Sequence, residues 1–468
     1  MVFSSLVFLF AFFPLAAVSY YLFKNRTYRN TVLLLFSLLF YSWGEPKFIL
    51  LILLASLTAY IGGLLLDRFT RRERPGLKKL VFVITVVLLT SNLLVFKYLN
   101  FFRTNINLLF PGALNLPRLA LPIGISFYTF QILSYVIDLY RGEIVVQKNY
   151  FYLTLYVSFF PQLIAGPIVR YQTIEHEILH RQESLDGVIR GMKRFIIGLA
   201  KKVLIANNAA LVAKIVYAGD PAVYGSLFYW AAAVSYALQI YFDFSGYSDM
   251  AIGLGEIFGF HFLENFNYPY MALSVTDFWR RWHISLSTWF RDYIYIPLGG
   301  NRVKKSRWIF NLLAVWALTG FCHGAQWNFL LWGLYYGVIL LLEKLVLEKH
   351  IEKLPKFLRW LYAMFIVLIG WVIFNRTNLV KLGEALTMMF NFTPTNFADM
   401  LIADTSIVKG ILYIPLGLLF SFPIFKRFKS PQNAFGLAVE NGVYLAVLAA
   451  CIVFIVSAAY NPFIYFRF

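Results

Sequence analysis

The chain has 468 residues, of which 60% are hydrophobic and only 14% are charged. Soluble domains carry roughly a quarter charged residues, so this composition excludes an ordinary soluble protein and indicates an all-α, polytopic integral membrane protein. The formal net charge of +19 comes from short basic clusters between apolar runs. That pattern holds loops on the cytoplasmic face of a membrane and does not indicate a nucleic-acid partner.

Apolar runs recur along the whole chain and predict about 11–12 membrane helices. Several runs are shorter than the ~20 residues that a simple span needs, so we expect partial or re-entrant helices beside them. No internal repeat or low-complexity linker separates the runs, and residues 1–468 are predicted to form a single membrane domain. The runs are approximately residues 3–23, 31–41, 48–66, 80–98, 123–139, 150–164, 227–242, 308–319, 329–342, 357–374, 407–425 and 438–460.

Basic clusters predict the orientation of the chain. Lys24, Arg26 and Arg29 follow the first run, and residues 426–429 contain three more cations before the last run. Because positive loops stay on the cytoplasmic side, we expect both the N-terminus and the C-terminus on the outer side.

The run that ends near residue 164 is broken by Pro161, Gly166 and Pro167. Irregular backbone at membrane depth is tolerated where it lines a cavity. We therefore expect Gln162 and Arg170 to face an aqueous or ligand-filled cavity and to bind the donor. The alternative is an ordinary helix kink with a snorkelling arginine.

Residues 174–215 differ from the apolar runs because they are charged and amphipathic. Arg190, Lys193 and Arg194 lie beside the apolar residues 195–197. We expect a helix on the cytoplasmic surface of the membrane, in contact with lipids, that continues into a more apolar stretch.

The same segment contains an H-E-x-x-H pattern at residues 176–180. Two histidines four residues apart on a helix can bind zinc, with the glutamate as general base. This pattern is short and arises often by chance, and it lies in a charged surface segment. We therefore expect no metal site.

Three polar residues end the run at 227–242, namely Asp243, Ser245 and Asp249. They could coordinate a cation, orient a histidine or cap the helix. These three roles stay open from the sequence.

Residues 274–290 combine basic, aromatic and imidazole side chains. Asp277 and Arg281 are four apart and can pair on one helical face, and Trp279 and His283 share another. One interpretation is an interfacial aromatic belt with snorkelling arginines. The other is a surface that binds an anionic donor. Its residues would be Arg280, Arg281 and Trp282.

The most informative polar interruption contains His323, between the runs at 308–319 and 329–342. Basic clusters lie before the first run and after the second. If both clusters are cytoplasmic, the two runs form a hairpin with His323 at its turn. The helix from Arg307 to His323 rises only ~24 Å, so the imidazole should lie at membrane depth. An ionisable side chain there is costly and marks a functional site.

Together these motifs resemble the membrane-bound O-acyltransferase superfamily, and more narrowly its bacterial alginate O-acetyltransferase-like branch. The resemblance covers nearly the whole chain. The matching motifs are FPQLIAGPIVRY at 160–171, GLAKK at 198–202, DFSGYSD at 243–249, DFWRRWHIS at 277–285, DYIYIPLGG at 292–300, and His323-Gly324.

The resemblance implies that His323 is the catalytic histidine and that His283 occupies an upstream site usually held by His or Asn. It also implies a ring of helices around a central tunnel, which the donor enters from the cytoplasm and the acyl group leaves outward. Neutral imidazole suits general-base catalysis, which is typically worth about 10²–10⁴-fold. His283, with Gln326 or Asn328 as alternatives, would position the donor or stabilise the oxyanion.

Residues 461–468 carry Tyr465, the phenol that follows the last run. We expect Tyr465 to accept the acyl group with His323 as base and to pass it to an exported acceptor. Related polymer-acylating systems are thought to use a terminal tyrosine in this way. The alternative is interfacial anchoring by tyrosine and phenylalanine.

The sequence therefore predicts an O-acetyltransferase of the bacterial inner membrane that acts toward an extracytoplasmic polysaccharide such as alginate, peptidoglycan or cellulose. Acetyl-CoA or another acyl thioester would be the donor, with no permanently bound cofactor. Similar systems imply a secreted SGNH-hydrolase-like acetyltransferase as partner. The alternatives are a D-alanyl-type transferase that uses an acyl-carrier protein, and a secondary transporter, against which the lack of an internal repeat counts.

Overall fold

The structure is a computed structural model that describes residues 1–164, 166–424, 431, 433–457 and 463–464. Over these residues the chain is helical and has no β-strand, which confirms the predicted all-α class. Two compact units are present, Met1–Phe195 with Met250–Leu263, and Ile196–Asp249 with Glu264–Phe468. The single membrane domain predicted for residues 1–468 stays a prediction.

The first unit contains eight helices, most of a ninth and the C-terminal turns of a later helix, among the described residues. A π-helical turn, Phe8–Phe12, leads into α1, and another, Leu94–Tyr98, joins α4 to α5. The helices α2, α3, α4, α6 and α7 pack against one another. The helices are α1 (Phe13–Tyr21), α2 (Arg26–Gly44), α3 (Ile49–Arg71), α4 (Pro75–Leu93), α5 (Leu99–Leu109), α6 (Ile125–Arg141), α7 (Tyr150–Ser158), α8 (Tyr171–His180) and α9 (Leu185–Ala200).

The second unit contains the remaining helices. Its core combines the long α11 with α12, α15 and α17, and α14 packs along α15. π-helical turns at Lys201–Ala206, Arg291–Tyr295 and Glu343–Leu347 extend α9, α13 and α15. The helices are α10 (Asn207–Ala218), α11 (Pro221–Ile257, which continues into the first unit), α12 (Val275–Arg281), α13 (Ile284–Phe290), α14 (Lys305–His323), α15 (Trp327–Leu342), α16 (Glu348–Ile351), α17 (Lys356–Asn375), α18 (Leu379–Phe390), α19 (Phe397–Ala403), α20 (Ser406–Phe420) and α21 (Ala434–Ser457).

Every predicted apolar run overlaps a helix of the structure. Six helical stretches are long and apolar enough to cross a membrane, and two shorter apolar helices accompany them at Phe8–Tyr21 and Ser406–Phe420. These features confirm a multi-pass membrane protein. The six stretches are Ile49–Arg71, Pro75–Leu109, Leu185–Ala218, Trp327–Ile351, Lys356–Asn375 and Ala434–Ser457.

The segment at residues 174–215 differs from the single helix that we expected. The helix α8 ends at His180, and a non-helical connection precedes α9 at Leu185. From there the helix continues to Ala218, with a length and apolarity sufficient for a membrane span. Its location on the cytoplasmic surface stays a prediction.

Asp243, Ser245 and Asp249 do not end a helix, so capping, one of the three roles left open by the sequence, is wrong. They lie in the interior of α11, which runs on to Ile257. The carboxylate of Asp249 pairs with Lys201 Nζ at 2.6 Å, and Asp243 forms a buried ion pair with Lys202. Ion pairs to the π-helical turn therefore satisfy both carboxylates.

A close glycine contact joins α14 to α15 and forms the predicted hairpin. An added Cβ on Gly320 would lie 2.2 Å from the Phe329 carbonyl oxygen, and one on Gly333 would lie 2.2 Å from that of Trp316. Small residues let two backbones approach in this way, which matters in lipid because apolar side chains gain little by pairing there. The contact confirms the hairpin and places His323 at the end of α14.

We predict that Gly320→Ala will separate α14 from α15 and destabilise the protein. Overpacking of this kind typically costs about 1–3 kcal/mol, and the neighbouring atom is backbone, which cannot rotate away. The unfolding temperature of the detergent-solubilised protein, followed by tryptophan fluorescence, should fall by several degrees.

Gly383→Ala is the matched control, because a Cβ at this helical glycine of α18 meets nothing within 4 Å. Alanine is favoured over glycine in a helix interior by roughly 0.5–1 kcal/mol, so this variant should be unchanged or slightly more stable. Equal unfolding temperatures for Gly320→Ala and wild type would contradict the proposed close contact.

Candidate functional site

Both predicted histidines line one cavity of about 280 Å³ in the second unit. Arg280 and Trp282 line it as well, so the structure brings together four of the residues that the sequence predicted. The remaining wall is largely aromatic and aliphatic, with tryptophans on α12 and α14. The site is therefore an apolar cavity with a few polar groups, as is typical of small-molecule sites.

One face of α14 forms a long wall of this cavity. Trp308, Leu312, Val315, Thr319 and His323 all line it. Their spacing of three or four residues places them on one side of the helix. From Trp308 to His323 the helix rises ~22 Å. The cavity is consequently elongated, with the imidazole at the C-terminal end of α14.

The basic side chain of Lys344 lies at the opposite end. The Lys344 ammonium is 5.6 Å from the centre of the Trp308 ring, and the Trp308 indole donates to the Tyr295 hydroxyl at 3.0 Å. Arg280 and Arg291 also line the cavity, and Arg291 pairs with Asp292 at 2.7 Å. Among the described residues that line the cavity there is no Asp or Glu. The cavity thus favours an anionic ligand.

His323 is the last residue of α14 and is 8% exposed. Its Nδ1 lies 2.7 Å from the Thr319 carbonyl oxygen. A carbonyl only accepts, so Nδ1 carries the hydrogen and the lone pair of the neutral imidazole is on Nε2. The rings of Trp332 and Phe374 are centred 5.0 and 5.6 Å from the imidazole. This apolar packing holds the ring in one orientation.

His283 interrupts the helix that the sequence predicted through residues 274–290. The helix α12 ends at Arg281, and α13 begins at Ile284. His283 has left-handed backbone angles, φ 45° and ψ 54°, which are uncommon for a residue with a Cβ and concentrate at functional sites. The Ile284 amide donates to the Asn265 carbonyl at 2.9 Å and stabilises this break.

The tautomer of His283 follows from its neighbour Asn265. The Oδ1 atom of Asn265 accepts from the Ser285 backbone amide at 3.2 Å. A backbone amide only donates, so this atom is the oxygen of the side-chain amide. His283 Nδ1 lies 3.1 Å from the same oxygen and therefore carries a hydrogen. The lone pair of neutral His283 is on Nε2, as in His323.

Burial determines the charge state of His283, which lies outside the six candidate spans. Its side chain is 2% exposed. Desolvation lowers the pKa of His283 well below its ordinary value, and the charge of His323 lowers it further. Neutral His283 thus has no hydrogen on Nε2 and is unsuited to the predicted oxyanion-donor role.

Two further predicted residues of the second unit lie away from the cavity wall. Arg281 pairs with Asp277 at 2.8 Å, as the sequence predicted for that pair. Asn328 is fully buried, and its amide donates to the carbonyls of Ile373 and Phe374 at 3.3 and 3.0 Å. Asn328 therefore joins the start of α15 to the end of α17.

Gln162 and Arg170 belong to the first unit. The helix α7 ends at Ser158, so the predicted helix break is present. Gln162 is fully buried and donates to the Tyr156 carbonyl at 2.5 Å, and Arg170 is the residue before α8. Their predicted roles in donor binding stay predictions.

Tyr465 lies outside the described residues, but Phe463 and Ile464 are described. The Ile464 amide donates to Asp243 Oδ2 at 2.7 Å. The Lys202 ammonium, which pairs with the same carboxylate, is 4.6 Å from the centre of the Phe463 ring. A buried ion pair thus anchors the chain directly before Tyr465.

Sequence reasoning missed three residues of this region. Lys344 belongs to the basic cluster after the run at 329–342, and Arg291 lies eight residues, about two helical turns, after His283, so charge placement and spacing could have indicated both. Asn265 carries no comparable signal, because it lies outside any helix and 18 residues from His283.

Comparison with known proteins finds relatives that cover the whole chain. Residues 141–379 match the MBOAT, membrane-bound O-acyltransferase family. The chain is 41% identical to a probable alginate O-acetylase AlgI of Azotobacter vinelandii, over 86% of this chain and 80% of the relative. It is 37% identical to a probable alginate O-acetylase AlgI of Pseudomonas putida, over 100% of both chains. It is 32% identical to a peptidoglycan O-acetyltransferase of Helicobacter pylori, over 100% of this chain and 98% of the relative.

Proposed function

Because the chain belongs to the membrane-bound O-acyltransferase family, we propose that this acyltransferase moves acetyl groups from a cytoplasmic thioester to hydroxyls of an extracytoplasmic polysaccharide. The observation that carries the proposal is a single apolar cavity lined by His283 and His323 and by three cations. The names of the relatives, which are acetylases of alginate and of peptidoglycan, support acetyl as the group and a polysaccharide as the acceptor.

The elongated cavity suits a donor such as acetyl-CoA. The phosphates of that donor would bind near Lys344, and Arg280 and Arg291 on the cavity wall add positive charge that attracts an anion. Its flexible thioester arm would extend along the α14 face toward His323. The aromatic and aliphatic wall between these ends offers little to a charged group but accommodates an uncharged acyl arm.

His323 would act as the general base. Its Nε2 lone pair takes the proton of the acceptor hydroxyl as that oxygen attacks the thioester carbonyl. The tetrahedral intermediate then collapses, the C–S bond breaks, and the imidazolium returns the proton to the departing thiolate. The ester and the free thiol are the products, and His323 is neutral again.

The polysaccharide lies beyond the inner membrane in this proposal, with both ends of the chain on the outer side. A secreted SGNH-hydrolase-like acetyltransferase would complete the transfer onto the polymer. The D-alanyl alternative is distinguished by its donor, because an acyl-carrier protein rather than acetyl-CoA would then support turnover.

We predict that His323→Ala will lower acetyl transfer from labelled acetyl-CoA in proteoliposomes by about 10²–10⁴-fold, the usual worth of a general base. His350→Ala is the matched control. His350 Nδ1 bonds the Val346 carbonyl at 3.0 Å, four residues earlier as in His323, but His350 is exposed and does not line the cavity.

The His350→Ala variant should retain wild-type turnover. Normal turnover by a folded His323→Ala protein would overturn the assignment of the base. No transfer by the wild-type protein from either acetyl-CoA or a charged acyl-carrier protein would overturn the proposed function.

We predict that Lys344→Met will raise the KM for acetyl-CoA about tenfold, because a charge-assisted contact is worth roughly 1.5–3 kcal/mol. The methionine keeps the apolar stem against Trp308, and kcat should change little. The difference should shrink at high salt. Lys349→Met, five residues further on and exposed, should have the wild-type KM, and an unchanged KM in Lys344→Met would argue against donor binding at this end.

We predict that Tyr465→Phe will abolish passage of the acetyl group to the exported acceptor if Tyr465 relays it, since phenylalanine has no oxygen to acylate. The anchoring of Ile464 on Asp243 supports this role. Transfer to a soluble polysaccharide should be measured for this variant beside Tyr444→Phe on α21, which should be normal. Full transfer by Tyr465→Phe would reduce the residue to an interfacial anchor.

A further inference from the structure

Asn265 lies behind His283 and forms the centre of a small buried network. Its side chain is 1% exposed. We propose that Asn265 is a positioning residue, which selects the Nδ1–H tautomer of His283 and presents an uncharged hydrogen-bond acceptor to the imidazole. This inference rests on the acyl transfer proposed above and concerns how the second histidine of that site is prepared.

The network leaves the Asn265 amide only one orientation. Its Oδ1 accepts from His283 Nδ1 at 3.1 Å and from the Ser285 amide and hydroxyl at 3.2 and 2.9 Å. Its Nδ2 donates to Ser248 Oγ at 3.2 Å. Turning the amide over would place its NH₂ group against the Ser285 N–H, which would leave buried donors facing each other. The oxygen therefore stays toward His283.

A fixed oxygen has a direct consequence for the imidazole. His283 can satisfy it only with a hydrogen on Nδ1, so the neutral ring has an acceptor at Nε2. Such a ring can receive a hydrogen bond from a substrate O–H or N–H, and it cannot donate one to an oxyanion. This assigns His283 to substrate positioning, and the oxyanion requires another donor.

The uncharged state of Asn265 matters as well. The titratable or charged groups that line the cavity with His283 are His323, Tyr295, Arg280, Arg291 and Lys344. On α11, the Phe244 ring is centred 4.6 Å from His283, and its neighbour Asp243 pairs with Lys202. The cavity thus offers no carboxylate, among its described lining residues, to stabilise a protonated His283. The uncharged amide of Asn265 likewise adds no negative charge beside His283.

Asn265→Asp provides the sharpest test. The carboxylate has nearly the same shape, accepts from His283 and Ser285 as before, and can accept from the Ser248 hydroxyl. The negative charge of the aspartate stabilises the imidazolium form of His283. An opposite charge at this distance typically raises the pKa of such a group by roughly 1–3. The acid limb of kcat/KM against pH should therefore move upward by about one unit or more, with activity returning at alkaline pH.

Two further variants separate positioning from simple support of the fold. Asn265→Ala removes the acceptor and should lower kcat/KM at least tenfold at every pH, without moving the acid limb. Ser248→Ala removes only the partner of Nδ2 and should keep the wild-type pH profile. A wild-type profile in Asn265→Asp, together with folded protein, would overturn the inference.

A measurement on the wild-type protein keeps the test independent of variants that fail to fold. Solid-state ¹⁵N NMR of the histidine-labelled protein, with His283 assigned by difference from His283→Asn, reports which ring nitrogen is protonated. Hydrogen on Nδ1 is expected, and hydrogen on Nε2 would overturn the inference. Failure of wild-type transfer, or full activity of His323→Ala, would instead overturn the proposed function and leave the assigned tautomer standing.

Discussion

Two imidazoles in an apolar cavity must each satisfy an N–H group, and the rest of the site depends on how they do so. A buried donor without an acceptor costs about 1–3 kcal/mol, so each ring is held by the oxygen that it contacts. His323 bonds the Thr319 carbonyl of its own helix. His283 bonds the side chain of Asn265, from a different segment. In both rings the lone pair of the neutral form is on Nε2.

The two imidazoles are held in position by different structural features. His323 is correctly placed as soon as α14 forms, provided that α14 lies close to α15. The glycine contact between Gly320 and Gly333 provides that closeness, and it brings Trp332 of α15 against the imidazole. His283 instead needs a broken helix and a left-handed backbone conformation. Such a conformation persists only where the surrounding structure stabilises it. Here the hydrogen bonds to the backbone carbonyl and the side chain of Asn265 do so.

This difference explains which features the sequence could predict. The apolar runs, the hairpin around His323 and the pair of Asp277 with Arg281 all follow from spacing within one or two turns of helix, and all are present. The break at His283 and its partner Asn265 follow from tertiary hydrogen bonds, which no local periodicity reveals. The break between His180 and Leu185 within the segment at residues 174–215 was likewise not predicted.

Polar contacts between residues far apart in the sequence could not be predicted from the sequence at all. Helix capping was one of the roles left open for Asp243, yet Asp243 lies inside α11. Its carboxylate is satisfied there by Lys202, 41 residues away, and by the Ile464 amide, 221 residues away. A buried carboxylate without such partners would be strongly unfavourable. The polar character of Asp243 was evident from the sequence, but only the folded chain identifies the groups that compensate for its burial.

The position of His323 at the end of α14 adds a last physical effect. The neutral imidazole of His323, with its lone pair on Nε2, is the form that can accept a proton. In the proposed reaction, in which His323 takes a proton, positive charge would develop beside the C-terminal end of α14, whose carbonyls carry a partial negative charge. Such an interaction is worth about 0.3–1 kcal/mol at exposed sites and up to ~2 kcal/mol when partly buried. In the proposed reaction this interaction would form only as the imidazole becomes charged. It would therefore stabilise the transition state more than the resting enzyme, which is the condition for raising the rate.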